Sequence, residues 1–503
     1  MELMNNWMGE GLLSEGIDEK LGEAKEVPEE LKDASLLESI AYENREEVVK
    51  MHPIVWDMVI KLEKENPRFF IKPGRRIEKF AWEDLYQNVE RVSLMSNNLK
   101  ELPSLSNAFK FRRLSTLLLQ GNLLDIQLDR DFFNTFPNLK TLDLSDTLVR
   151  LEPESLSCLK HLTVLLLRNC IHLTCLSSLS ELLELIILDV SDCPIEELPS
   201  LSELKELMVL DVSGCPIGEF PHGINHLTKL VRLNLSRTQV RNFPSAWIKD
   251  VQKFRYLIAL EVTFPSLHLY NSYTASSHWR QLRSFKFCVG GFYKGKLQNN
   301  SLAFIKEFPD DQNCLLENTS ELQLMSFDNV THLTIPKLSN LKVLDVSYCT
   351  SLRHLFPVSV IYNLENLEEI VVAHCENLVT LIEKDNRSTD FPSILVTLFN
   401  LPQLLFMYNG DVETWSMEEF GIWNCPQLQK FPTCLWVYDE QNLVDPPNLK
   451  AIRGDDSWLE NLKRNSDPSV PFLEKTLIKE PPPEELTSRS EMVVATSEMA
   501  TGS

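Results

Sequence analysis

The chain has 503 residues, 43% of them hydrophobic and 24% charged, an ordinary globular balance that excludes a wholly unstructured polymer. Its 49 Lys and Arg stand against 72 Asp and Glu, a net charge of −23. So acidic a chain argues against sequence-independent binding of nucleic acid and against docking on anionic lipid, both of which need a basic face.

Met1–Leu13 carries Glu2 and Glu10 and neither Lys nor Arg, unlike a secretory leader. No run approaches the about 18 apolar residues of a membrane-spanning helix; the most apolar, Leu182–Val190, is interrupted by Glu184. The expectation is a soluble, cytoplasmic protein. Residues 1–66 are acidic: the first 50 hold 14 Asp and Glu and 5 Lys and Arg. Leu31, Ala34, Leu37 and Ile40 have helical spacing and predict a helix over Val27–Ile40. A second is expected over His52–Lys64, with Pro53 in its first turn and Val55, Met58, Val59 and Leu62 as its apolar stripe.

From residue 67 to about 465 one pattern recurs. Val92-Ser93-Leu94 leads to Asn97, Leu117-Leu118-Leu119 to Asn122, and Leu142-Asp143-Leu144 to Thr147. Leu165-Leu166-Leu167 leads to Cys170, Leu188-Asp189-Val190 to Cys193, Leu210-Asp211-Val212 to Cys215, and Leu233-Asn234-Leu235 to Thr238. These copies start at intervals of 25, 25, 23, 23, 22 and 23 residues. Leu344-Asp345-Val346, Ile370-Val371-Val372 and Phe420-Gly421-Ile422 continue the series toward Cys349, Cys375 and Cys425, with room for a degraded copy near Leu404. This is the leucine-rich-repeat period. Alternation at period two turns both aliphatics of a pair inward from a short strand. The Asn, Cys or Thr that follows turns in where the chain leaves the strand and bonds backbone groups. The predicted fold is an α/β leucine-rich-repeat solenoid with parallel strands on its concave face, preceded by a small α-helical, winged-helix-like segment.

Six of the eleven Cys are thereby assigned internal structural roles. With no CxxC pair, a metal site is not expected. Pro after an apolar residue in second halves such as IEELPSLSELKEL should start a loop or short helix instead of a second ladder strand. Residues 255–330 fit loosely, with strand-like pieces at Leu260–Val262, Phe285–Phe287 and Leu322–Leu324. Tyr270, Tyr273, His278 and Trp279 lie there, on an irregular repeat or on an excursion that meets a partner. Residues 466–503, with Pro481–Pro483 followed by Ser, Thr and Glu, have the composition of a disordered acidic tail.

Glu2–Glu15 (ELMNNWMGEGLLSE), Leu31–Glu38 (LKDASLLE) and Val49–Leu62 (VKMHPIVWDMVIKL), followed by leucine-rich repeats, resemble the plant nucleotide-binding leucine-rich-repeat resistance proteins, the coiled-coil branch most of all. Asn448–Leu462 is similar to that family's last repeat and cap. The resemblance implies that residues 1–66 are the winged-helix end of a nucleotide-binding switch domain. It also implies a chain shortened by the coiled coil and most of that domain. It maps the family's Met-His-Asp motif onto Met51, His52 and Pro53, implying contact of His52 with ADP or ATP. Read from the residues alone, His52 is a helix-start His with an ordinary hydrogen bond, and no cofactor is expected for this chain by itself. Gly290–Lys296 satisfies G-x-x-x-x-G-K, yet Leu297 stands where a phosphate loop needs Ser or Thr; a loop between repeats is the better account.

No catalytic constellation emerges, so the chain is not expected to be an enzyme. The residues between the aliphatic pairs, Asp143, Leu166, Asp189, Asp211, Asn234, Asp345 and Val371, are expected to face outward and meet a protein partner. That partner would be a pathogen effector, a guarded host protein or a nucleotide-binding switch domain. The expected function is plant defence through leucine-rich-repeat recognition and autoregulation; the alternative is a generic intracellular scaffold or adaptor.

Overall fold

The computed structural model describes residues 27–495 except 42–46, 62–67, 104–109, 307–315, 384–389, 432–436, 488–492 and some shorter gaps. The chain divides at Leu260 into two units.

In the first unit, residues 27–33 are helical, as expected, but the helix stops short of Ile40. Leu36 N–H reaches back to Leu31 C=O at 2.8 Å, a closure that ends a helix. Leu37–Ala41 then pairs antiparallel with Glu47–Met51. The spacing of Leu37 and Ile40 had suited a helix; cross-strand pairing overrides it. Helix resumes at Pro53, where Met58 of the expected apolar stripe is 53% exposed and Ile54 74% exposed. Val59 and Leu62 lie outside the described residues.

The repeats then build one parallel sheet. Its strands are Phe69–Ile71, Arg91–Ser93, Thr116–Leu118, Thr141–Asp143, Val164–Leu166, Ile187–Asp189, Val209–Asp211 and Arg232–Leu235. Each pairs in register with the copy before it, so Leu117, Leu142, Leu165, Leu188, Leu210 and Leu233 form one row. All six are fully buried, each worth about 1.5–3 kcal/mol of apolar transfer. The ladder residues lie beneath. Asn122 donates to Leu94 and Leu119 C=O, both at 2.8 Å, and accepts from Leu99 N–H at 3.2 Å. Cys193 Sγ points to Leu167 C=O at 2.9 Å and Cys215 Sγ to Val190 C=O at 3.1 Å, so the thiols hold the same slot with one donor. Burial pushes the thiols of Cys215 and Cys425 up to about 12, which removes thiolate chemistry at neutral pH. At the start of this sheet Trp82 is buried among Phe80, Phe111 and Phe136, with ring centroids 5.0, 5.9 and 5.3 Å away.

The second unit contains a parallel sheet of the same kind: Ser284–Val289, Ser301–Ile305, Glu321–Met325, Val343–Ser347, Glu369–Ala373, Leu395–Phe399, Glu419–Trp423, Ala451–Gly454 and Leu477–Lys479. The degraded copy expected near Leu404 is Val396-Thr397-Leu398 instead, which makes the steps from Leu344 to Ile370, Val396 and Phe420 26, 26 and 24 residues. It had been hidden because its ladder residue is Leu401, with no polar side chain. Where Pro153, Pro199 and Pro221 open the second halves, turns and short 3-10 helices follow. In the second unit a three-stranded parallel ladder forms there, His354–Pro357, Thr380–Glu383 and Phe406–Asn409.

Within 255–330, Leu267–Thr274 is a helix capped by Ser266, and all three strand-like pieces fall on strands. Tyr270 and Tyr273 are fully buried against Phe264 and Phe287, so these aromatics fill an irregular repeat. Elements also continue into the stretch read as a disordered tail: helix Val470–Thr476, strand Leu477–Lys479, helix Glu484–Thr487 and strand Val493–Ala495. Composition under-read this stretch because tertiary contacts, described below, hold it. No helix among the described residues is long and apolar enough to cross a membrane.

Candidate outer-face recognition site

With the aliphatic pairs turned in, the residues between them occupy the opposite, outer face of the sheet. Leu118, Asp143, Leu166, Asp189, Asp211 and Asn234 form one outer row in the first unit. The expected residues do lie on this outer face, but facing outward does not leave them exposed. Asp143 and Leu166 are 0% and 1% exposed, Asp189 9% and Asn234 8%; Leu118 and Asp211 are half-buried. In the second unit Asp345 and Val371 are buried at 4% and 7%. Alternation fixes which face a side chain leaves from, but not how closely its lateral neighbours cover it.

The carboxylates have internal work. Each lies two residues before a Ser, and Oδ1 accepts from that Ser. Ser191 donates to Asp189 from N–H at 3.1 Å and Oγ at 2.7 Å; Ser213 does so to Asp211 at 3.0 and 2.6 Å. Ser236 repeats the arrangement on Asn234, and Ser145 N–H donates to Asp143. This D-x-S turn holds the chain where the strand ends. The outer oxygens link neighbouring repeats: Arg168 Nε lies 3.2 Å from Asp189 Oδ2, and Asn234 Nδ2 donates to Asp211 Oδ2 at 2.9 Å.

Burial and the neighbouring Asp211 carboxylate push Asp189 up from 3.8 to about 6. The sign follows directly. The folded chain holds this proton between pH 4 and 6 where the unfolded chain has lost it, so the site's stability is fullest at acid pH and declines as pH rises through about 6. Asp189→Asn, which keeps the Oδ1 acceptor, should raise stability by about 1–3 kcal/mol at pH 7, with the difference gone near pH 4. Parallel urea titrations at the two pH values measure it; an equal change at both would contradict the argument.

One column was missed in the sequence. The residue just before each ladder position takes a left-handed backbone: Ser96, Asp146, Asn169, Asp192, Arg237, Tyr348, His374, Asn400 and Asn424, with Gly121 and Gly214 in the same series. The enrichment in Asp, Asn and Gly was the available signal. Here the side chains do reach solvent: Asp146, Asn169 and Asp192 are exposed. Asn169 Nδ2 donates to Asp146 Oδ1 at 2.9 Å. Arg237 reaches past Gly214 to grip both oxygens of Asp192, at 2.9 and 3.2 Å. A Cβ at Gly214 would lie 2.1 Å from Asp192 Oδ1, so this fork depends on glycine between its partners.

Behind the column lies an apolar outer cluster of Val164, Leu166, Ile187, Met208, Val209 and Val231. Among the described residues no group of three or more His, Cys, Asp or Glu is placed to hold a metal. His52 accepts from Ile54 N–H on Nδ1 at 3.2 Å, capping the helix that begins there, and its Nε2 faces Glu38 at 3.6 Å. Among the described residues, the Glu38 carboxylate is what this nitrogen faces. In the Gly-rich loop, a Cβ on Gly290 would lie 2.4 Å from Ile305 C=O and one on Gly291 2.9 Å from Ile305 Cγ2. These glycines permit close strand approach; residues 294–296 lie outside the described ones.

Comparison with known proteins agrees with the repeat. Residues 148–308 match the family described as leucine-rich repeat region, and 307–376 match plant disease resistance protein RPS2-like, leucine-rich repeats. Disease resistance protein At4g27190 of Arabidopsis thaliana is 28% identical over 93% of this chain and 55% of its own length. Probable disease resistance protein At4g27220, also of Arabidopsis thaliana, is 29% identical over 86% of this chain and 56% of its own. The chain thus spans about half the length of these curated relatives. Among solved structures, an internalin from Listeria monocytogenes is 17% identical over 73% of this chain and 86% of its own, with a TM-score of 0.37. Repeat, fold and relatives together make the chain a leucine-rich-repeat protein similar to the plant disease resistance proteins.

Proposed function

We propose that the chain serves plant defence as a cytoplasmic recognition and autoregulatory element, without catalysis of its own. It contacts a protein partner through the exposed left-handed column of the first unit. The observation that carries this reading is the row Asp146, Asn169 and Asp192. Successive parallel strands place these side chains about 5 Å apart, on backbone locked by the ladder beneath. Such a row is rigid before binding, so little ordering entropy opposes association. Its acidic character suits a basic or hydrogen-bonding surface and acts mainly on association rate and specificity. Of the partners considered, the nucleotide-binding switch domain of a full-length relative fits the resemblance of the N-terminal residues; an effector or guarded host protein would use the same row. The generic scaffold reading gains nothing from these residues.

The test is charge reversal on the exposed column, not on the covered Asp189 and Asp211, where a Lys would bring an unpaired charge into the sheet's outer face. Asp146→Lys with Asp192→Lys should weaken binding to the nucleotide-binding region of a full-length relative at least ten-fold; loss of the Asp192–Arg237 fork and Lys on a left-handed backbone should lower the melting midpoint by about a few degrees while a cooperative transition remains. Undiminished binding in a quantitative pull-down would remove the column from the recognition surface.

A further inference from the structure

The outer face of the second unit is covered by the chain's own end. After Leu477–Lys479 closes the sheet, the backbone turns back across the strands in the reverse of repeat order. Glu480 C=O accepts from Trp423 Nε1 at 2.8 Å, and its carboxylate lies 3.3 Å from Arg453. Pro481–Pro483 follow, a stretch with no N–H to enter any ladder. The short helix Glu484–Thr487 then sets Leu486, only 4% exposed, on Val371 and Ala373, with Phe399 beside them. His374 Nε2 meets Leu486 C=O at 3.3 Å. Farther on, Val493–Ala495 pairs antiparallel with Gly291–Tyr293.

The ground beneath is built to receive such a segment. Tyr348 and His374 stack with centroids 4.5 Å apart, and Phe399 meets His374 edge-on at 5.0 Å. Gly421 leaves the space into which Trp423 lies down: a Cβ there would be 2.5 Å from the Trp423 ring. Rigid aromatics, a side-chain N–H aimed at a backbone carbonyl and a pocket for one leucine are the elements of extended-peptide recognition. The hold over 480–487 is modest: it rests on one buried leucine, the hydrogen bonds of Glu480 to Trp423 and Gly454 and of Leu486 to His374, and a partly exposed ion pair.

We propose that this face is a peptide-docking surface held shut by residues 480–487 of the same chain. Its partner is then a protein segment of the same make, extended by prolines, acidic at its start and anchored by one leucine. That partner gains the face only by displacing the tail. The inference concerns the second unit and stands apart from the charged column of the first, so each can fail alone.

The probe is a fluorescein-labelled synthetic peptide of residues 479–488, followed by anisotropy against the full chain. Leu486→Asp should free the face and bind the peptide at least ten-fold tighter than the unmodified chain, and adding Val371→Asp should abolish that gain. Equal affinity in both, or no binding to Leu486→Asp, overturns the proposal. If Leu486→Asp shows no cooperative thermal transition, the unmodified chain decides. Excess free peptide should speed hydrogen exchange at the amides of 484–487, and unchanged exchange overturns the proposal equally.

Discussion

Replacing Asn122 by Ala is expected to lower the stability of the first unit by about 3–4 kcal/mol, well beyond Cys193→Ala at about 1–2 kcal/mol. The two side chains hold equivalent places in repeats three copies apart, yet they satisfy different numbers of backbone groups. Asn122 is 1% exposed and serves three: the carbonyls of Leu94 and Leu119 and the N–H of Leu99. Truncation leaves Leu119 C=O and Leu99 N–H lacking that partner, while Leu94 C=O keeps the Asn97 amide at 2.9 Å, and an orphaned buried group costs more than a bond contributes. Cys193 supplies a single weak donor to Leu167 C=O, so its loss is chiefly a small cavity. Guanidinium titrations of the full chain, with exchange protection to localise the change to neighbouring repeats, would check the ranking. Equal destabilisation by the two substitutions would remove hydrogen-bond count as its cause.

Trp82→Ala should cost a further order of about 3–5 kcal/mol and act mainly on the first repeats. The indole is 1% exposed, packs on Phe80, Phe111 and Phe136, and donates Nε1–H to Pro103 C=O at 2.9 Å. A repeat array needs its first sheet edge and core end covered, since each copy is otherwise stabilised by neighbours on both sides. Trp82→Phe, which keeps the ring packing and loses the N–H, should cost about 1–2 kcal/mol. Chymotrypsin cleavage near residues 68–115 would report the local opening. A Trp82→Ala chain as protease-resistant as the original would show that the aromatic cluster is not the cap.

The inward half of the fold was legible because its signal is short-range and doubled: Leu188 with Val190, then Leu210 with Val212, alternate at period two and return at a nearly fixed interval. The copy at Val396 was lost for a local reason, the absence of a polar residue at Leu401. The hairpin at Leu37 to Met51 was lost because Leu31, Ala34, Leu37 and Ile40 suit a helix until cross-strand bonding is counted. The outer face was only half legible. Direction follows from alternation, so Asp143, Asp189 and Asp211 do lie there. Their burial follows from lateral packing and from Ser two residues on, which no periodicity count includes. The tail misled for the opposite reason: prolines and Glu describe a segment with no structure of its own, and Trp423, His374 and Val371 supply the structure from outside.

The left-handed column also says where such a chain can change length. Because one residue in each copy, such as Asp192 or Asn424, reverses the backbone at the same point past the sheet, the strand spacing is indifferent to what the connecting arc contains. Copies of 22 and of 25 residues therefore sit in the same ladder of the first unit. Growth or loss of a few residues in the arcs should be absorbed locally. A single residue inserted between Leu188 and Cys193 would rotate every later inward side chain of that copy by half a turn, and the array would part at that seam.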